Sequence, residues 1–131
     1  MSELRRILVA DDDPDALDQV NLMLGGEGYQ VVLAQGQHEA EEALMGARPD
    51  LAIFDLMMER KDSGFVLCHE TKRLYPETPV ILLTAVTAAT GLNFDLADPE
   101  ARAWTKADLM LDKPVRAERL RAEVRRLLVQ S

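Results

Sequence analysis

A single cysteine in 131 residues excludes an internal disulfide and leaves no CxxC pair for zinc or redox chemistry. That residue, Cys68, adjoins His69 on an expected helix where the two point in different directions, so they read as a packed thiol and a surface imidazole rather than a ligand pair. Long apolar runs are also missing: none approaches the roughly 20 residues needed to span a bilayer, and no membrane partner is expected. The opening Met1-Ser2-Glu3-Leu4-Arg5-Arg6 leads into a short strand that soon meets Asp11, which makes a poor signal peptide and points to a cytoplasmic location. Basic charge is in deficit. Lys and Arg number 15 against 23 Asp and Glu, for a formal charge of −8, and direct nucleic-acid binding draws most of its affinity from a basic footprint this chain lacks.

What is present is an alternation of strand-like and helix-like runs, the pattern of repeated βαβ units and a parallel sheet with helices on both faces. The length suits one core and one domain over residues 1–131, with no separate output domain visible. Arg6 to Ala10 reads as the first strand. Asp13 can cap a following helix that has Pro14 at its first position, buries Leu17, Val20 and Leu24, and stops at Gly25-Gly26. Gln30 to Ala34 is the second strand, and Ala40, Ala43, Leu44 and Ala47 mark a second helix that ends before Pro49. The third strand is Leu51 to Phe54; a polar loop through Ser63 and a helix from Gly64 to Tyr75, with Leu67, Thr71 and Leu74 on its apolar face, come next. Pro79 to Thr84 is the fourth strand and Leu109 to Leu111 the fifth. The last helix is expected from about Val115 to Val129, burying Leu120, Val124, Leu127 and Leu128, with its arginines on a solvated face. Between Ala85 and Ala107 only Asp98-Pro99-Glu100 suggests a helix start, and no clean period emerges.

Charge collects at the carboxyl ends of these strands. Asp11-Asp12-Asp13 follows the first, Asp55 the third, and Asp112-Lys113-Pro114 the fifth, while Thr84 closes the fourth. Ligands of open parallel sheets bind in the crevice outside the carboxyl ends, so these groups are expected to converge. Two unit charges about 4 Å apart repel by roughly 4 kcal/mol at an effective dielectric of 20, so clustered carboxylates favour a bound cation or a neutralising lysine. With Asp13 used as a cap, Asp11 and Asp12 remain for chemistry. Oxygen ligands of this kind suit Mg2+, held by one or two carboxylates plus phosphate. An aspartate can itself be a phosphoryl acceptor, with positioning and electrostatics doing most of the catalysis. Asp55 is the expected nucleophile.

Four segments, Ile7-Leu8-Val9-Ala10-Asp11-Asp12-Asp13-Pro14, Asp50-Leu51-Ala52-Ile53-Phe54-Asp55-Leu56-Met57-Met58, Ile81-Leu82-Leu83-Thr84-Ala85 and Asp112-Lys113-Pro114, together resemble the receiver domain of two-component response regulators. The resemblance implies a flavodoxin-like, doubly wound, five-stranded parallel sheet of order 2-1-3-4-5. It implies a phosphoprotein of a two-component or phosphorelay pathway rather than an enzyme with an external substrate. Asp55 would take a phosphoryl group from the phosphohistidine of a histidine kinase or phosphotransfer protein, and the protein would signal through protein–protein contacts to an unknown downstream protein. Mg2+, or Mn2+, would be held by Asp12, Asp55 and the backbone carbonyl of Met57, with Asp11 acting through water. Thr84 and Lys113 would bind the phosphoryl oxygens, and small Ala85 would leave room for it. The flanking Met57 and Val86 orient no attacking water by a strong hydrogen bond, so a long-lived aspartyl-phosphate is expected.

Several positions depart from the family's pattern. Met110 stands where an aromatic switch residue is usual, so the expected switch pair is Thr84 and Met110, with methionine filling space without two defined positions. Glu59 replaces a loop proline, and Gly64 comes one residue late. Thr84 and Lys113 are 29 positions apart, which places an insertion within Val86 to Lys106, the segment expected to couple phosphorylation to output. Two other readings compete. A haloacid-dehalogenase-like, Mg2+-dependent phosphatase would use Asp11 as nucleophile and Asp13 as acid–base partner, but it has Asp15 where that class carries threonine and little room for a cap. A receiver-shaped interaction module that is no longer phosphorylated ranks lower, because all five chemical positions hold suitable residues.

Overall fold

A computed structural model of the chain describes residues 4–60, 62–85 and 107–130. The elements run β1 (Arg5–Asp11), α1 (Pro14–Leu24), β2 (Tyr29–Gln35), α2 (Gln37–Gly46), β3 (Leu51–Asp55), α3 (Ser63–Leu74), β4 (Val80–Ala85), β5 (Leu109–Lys113) and α4 (Ala117–Gln130). Five parallel strands stand in the order β2-β1-β3-β4-β5, as the sequence leads one to expect. The segment Val86 to Lys106, including Asp98-Pro99-Glu100 and Trp104, lies outside the described residues.

Side chains alternate across a strand, and here the alternation sorts the core into two layers. Ile7, Val9, Leu51, Ile53, Ile81 and Leu83 face one side and pack under α1 and α4, through Leu17, Val20, Leu24, Leu120 and Val124. Leu8, Ala10, Ala52, Phe54, Val80 and Leu82 face the other side, under α2 and α3, through Ala40, Leu44, Phe65, Leu67 and Cys68. Every residue of β3 is buried, which explains why the central strand reads as an unbroken apolar run. Asp13 caps α1, its side chain accepting from the Asp15 amide at 3.0 Å with Pro14 next in line.

Three expectations need correction. Leu74 was expected on the buried face of α3, but it is 37% exposed; the helix turns its apolar side inward through Phe65, Cys68 and Thr71, and the ring of Tyr75 follows, its hydroxyl donating to the Leu44 carbonyl at 2.5 Å. The last helix starts at Ala117 rather than Val115, because Pro114 and two further residues turn the chain out of β5. Not all of its arginines are free in solvent: Arg121 is half-buried, donates to the Met23 carbonyl at 3.2 Å and lies 3.7 Å from the Glu27 carboxylate, tying α4 to the end of α1.

Gly64 occupies a position that admits no side chain. A Cβ there would stand 2.6 Å from the Asp55 carbonyl oxygen and 2.7 Å from the Leu56 Cα, and the Gly64 amide already donates to the Leu56 carbonyl at 2.8 Å. Both obstacles are backbone, so neither can rotate away. Gly64→Ala is expected to destabilise the protein by about 2 kcal/mol through overpacking and to displace the turn that follows Asp55; urea denaturation of the variant against the parent measures it, and an unchanged midpoint would refute the steric account.

Candidate functional site

The register of the sheet brings the acids level. Ala10 pairs with Phe54, so the next residues on each strand, Asp11 and Asp55, sit side by side at the carboxyl edge. Asp55 pairs with Leu83 and Leu83 with Leu111. Asp11, Asp55 and Lys113 therefore share the side of the sheet that carries α1 and α4. Thr84 has the opposite parity, beside Leu82 and Met110 on the side of α2 and α3. The three acids and Lys113 do converge, and Thr84 closes the adjoining strand with its side chain on the opposite face.

The distances describe one cluster. The Lys113 ammonium lies 2.7 Å from Asp55 Oδ1 and 3.3 Å from Asp11 Oδ2. Oxygens of Asp11, Asp12 and Asp55 all fall within 4.8 Å of one another. Asp11 and Asp55 are 5% and 8% exposed, whereas Asp12 points outward. Asp11 also accepts from the Asp13 amide at 3.0 Å, which fixes its carboxylate at the head of α1. Thr84 is buried, and its hydroxyl donates to the Ala85 carbonyl at 3.2 Å rather than to any of the acids. Met110 is partly buried against the α2/α3 layer, and Met57 is likewise half-buried there.

Three carboxylates against one ammonium leave the cluster short of positive charge. Burial pushes the Asp55 carboxyl up to about 6; the hydrogen bond from Lys113 opposes this, and Asp11 adds to it. Asp12 is raised as well, by burial first and then by Asp11, with Glu59 contributing. Lys113 is held above its ordinary value: burial works against its charge, and the bonds and fields of Asp55 and Asp11 outweigh that. The donor set is all oxygen, negatively charged and closely spaced, which fits a hard divalent cation such as Mg2+. A cation there would supply the positive charge that Lys113 alone does not.

Beside the cluster, on the α1/α4 side, lies a cavity of about 360 Å3 whose lining includes the apolar Val20, Met23, Pro114 and Val115 together with Gln19, Asp11 and Lys113. Its significance was not legible in the sequence, since it forms between residues about 90 positions apart. The sequence also gave no signal for what Glu59 contacts beyond marking it as unusual. Its carboxylate accepts from the Gln37 amide at 3.1 and 3.2 Å.

A family model described as the response regulator receiver domain matches residues 7–125. The chain is 34% identical over 123 residues to the response regulator MprA of Mycolicibacterium vanbaalenii, covering 94% of this chain and 50% of the relative; it thus spans about half the length of the curated relatives it matches. Among solved structures it resembles a CheY-like response regulator receiver domain protein from Methanospirillum hungatei, with a TM-score of 0.83, 26% identity, and coverage of 98% and 96% of the two chains. The response regulator TrrA from Thermotoga maritima, solved in complex with Mg2+–BeF, superposes with a TM-score of 0.76 at 27% identity, over 95% of this chain and 99% of that one. Among the described residues no helix is long and apolar enough to cross a membrane.

The raised Asp55 and Asp12 values set a pH dependence. A carboxyl whose value is higher folded than unfolded binds more protons in the native state, so stability falls as pH rises between the two values. For Asp55 the window runs from the ordinary 3.8 to about 6. Metal-free protein in EDTA is therefore expected to lose stability between about pH 4 and pH 6, with a term on the order of 3 kcal/mol from Asp55 before other groups are counted. Asp55→Asn should flatten that slope in urea denaturation series; a slope equal to the parent's would show that Asp55 is not the strained group.

Proposed function

The chain belongs to the response regulator receiver family, and from that membership we propose that it accepts a phosphoryl group on Asp55 from the phosphohistidine of a histidine kinase or phosphotransfer protein. Residues 1–131 then form one receiver domain, and the change is passed on through protein–protein contacts. The observation that carries the reading is the Lys113–Asp55 contact of 2.7 Å within the three-carboxylate cluster. Of the two acids that Lys113 touches, Asp55 is the closer, which favours it over Asp11 as the phosphorylated residue.

In the reaction a carboxylate oxygen of Asp55 forms a bond to phosphorus as the phosphorus–nitrogen bond to the donor histidine breaks, and the imidazole leaves with the electron pair. Lys113 stays within reach of the oxygens of the transferred group and holds a positive charge beside them. Asp12, Asp55 and the Met57 carbonyl would hold Mg2+ or Mn2+, with Asp11 joined through water; when bound, the ion supplies charge neutralisation to the phosphoryl oxygens. Thr84 must turn its hydroxyl from the Ala85 carbonyl to meet the phosphoryl group, and Met110, on its side of the sheet, would repack as it does so. The chemistry is confined to the domain's own phosphorylation and dephosphorylation, with no external substrate turned over.

A radiolabelled small-molecule phosphodonor with Mg2+ is expected to place one phosphoryl group on Asp55, and Asp55→Asn to abolish the label. Label retained by Asp55→Asn would overturn the assignment, and label mapped to Asp11 would favour a phosphatase-like chemistry. The cavity beside Asp11 and Lys113 gives a second test. An apolar wall of Val20, Met23, Pro114 and Val115 next to the acceptor suits the side chains of a protein donor. Met23→Arg is expected to slow transfer from a phosphorylated protein donor by about tenfold, the scale of one interface hot spot, while transfer from a small-molecule donor is unchanged; equal rates with the protein donor would place its docking elsewhere.

A further inference from the structure

Glu59 stands out because it joins three parts of the molecule that the reaction must keep in register. It sits in the loop after β3, two residues beyond Met57. Its carboxylate receives the Gln37 amide, the first N–H of α2, across 22 residues of sequence. The residue that precedes α2, Gly36, has no side chain to cap the helix, so Glu59 provides from another element the acceptor that a capping residue normally supplies. The same carboxylate occupies the space a Cβ on Gly36 would need, and Gly36 has φ +103°, a conformation that glycine alone adopts readily. The Gly36 amide in turn donates to the Asp11 carbonyl at 3.2 Å. The chain of contacts therefore runs from the Met57 loop, through Glu59, to the start of α2 and on to the end of β1 where the acid pair begins.

Helix and loop also benefit electrostatically from the contact. The N-terminus of α2 carries the positive end of the helix dipole, which favours an anion there. Besides this contact, the loop between Asp55 and α3 is held by burial of Leu56 and Met58 in the α2/α3 layer and, near its tip, by the Met58 amide to the Arg60 carbonyl at 3.1 Å and the Arg60 amide to the Ser63 hydroxyl at 3.1 Å. The Glu59 contact adds to these a polar tie between the loop tip and the start of α2.

We propose that Glu59 is a positioning residue that pins the Asp55–Met57 loop to the N-terminus of α2, so that cation binding at the acid cluster and ordering of the first turn of α2 reinforce each other. The proposal rests on the reading of Asp12, Asp55 and the Met57 carbonyl as the cation's ligands. Linkage makes the effect reciprocal: a cation that selects the pinned loop also selects the capped helix.

The test uses the intact chain and Mg2+ alone, with affinity from calorimetry and amide exchange read residue by residue. In the parent, saturating Mg2+ is expected to slow exchange at Gln37. Glu59→Ala should weaken Mg2+ about tenfold, the scale found when groups supporting metal ligands are removed, and should abolish the Mg2+ effect at Gln37. Glu59→Gln keeps an oxygen acceptor without the charge and should retain most of the affinity and of the Gln37 response. Equal losses in Glu59→Gln and Glu59→Ala would assign the effect to charge alone and overturn the tether. So would a Glu59→Ala protein that is less stable yet binds Mg2+ like the parent, since a purely structural cap predicts that result. Asp12→Ala separates the underlying reading: if the parent binds no Mg2+, or Asp12→Ala binds it as well as the parent, the ligand assignment fails and the tether proposal falls with it, whatever Glu59→Ala does.

Discussion

Crowding of like charge at the carboxyl edge of the sheet is the constraint on which the site depends. Register makes Asp11 and Asp55 neighbours on adjoining strands, and Asp12 follows immediately. One ammonium, Lys113, spans both buried acids. Charges at these separations repel by a few kcal/mol in a medium of intermediate dielectric. That cost is bearable because the strands that impose it are anchored in two aliphatic layers, in which each fully buried Leu, Ile or Val contributes roughly 1.5–3 kcal/mol. The scaffold is stable enough to hold its acids in an unfavourable arrangement, and whatever neutralises them binds with the help of that strain.

Much of this was legible because parallel sheets impose strong local signals. Strands buried on both faces read as apolar runs, and each ended on a polar residue that the topology then placed at the crevice. Asp13 followed by Pro14 announced a cap, and the cap is there. Among the described residues, the helix ends that were expected fall within two residues of those observed, the last helix being the looser because Pro114 and the turn after β5 use up residues that fit a helical period equally well. Leu74 misled for a different reason: its spacing matches Leu67 and Thr71, but Tyr75 takes the place against Leu44 and leaves it at the surface. Contacts set by tertiary approach left no periodic trace. Glu59 on Gln37, Lys72 on Asp108 at 2.7 Å, and Arg6 on Asp50 at 2.7 Å each join residues 22 or more positions apart. The place of the acid cluster was therefore easier to read than the bonds that align it.

The sheet also separates the acid–lysine cluster from Thr84 and Met110, the groups expected to act as a switch. Asp11, Asp55 and Lys113 project toward α1 and α4, where the cavity with Met23 and Val115 opens. Thr84 and Met110 project toward α2 and α3. A sheet packed on both sides is poorly suited to transmit a small shift straight through its thickness, because its interior is close-packed and resists compression. Loops at the carboxyl edge are the easier route from one layer to the other. The loop after Asp55 is such a route, and Glu59 delivers it to α2.

Beyond α2 the charge pattern continues in the same vein. Glu70 on α3 is pushed up to about 7, by burial first and then by a hydrogen bond shared with Glu41 on α2. Two carboxylates facing one another repel, which favours the protonated form of Glu70 where α3 meets α2. Arg73 lies near enough to offset part of the repulsion, and Gln37 extends its amide to Glu41 at 3.4 Å. Gln37 thus meets Glu59 through its backbone and Glu41 through its side chain. The first turn of α2 therefore stands between the loop that follows Asp55 and the Glu41–Glu70 pair.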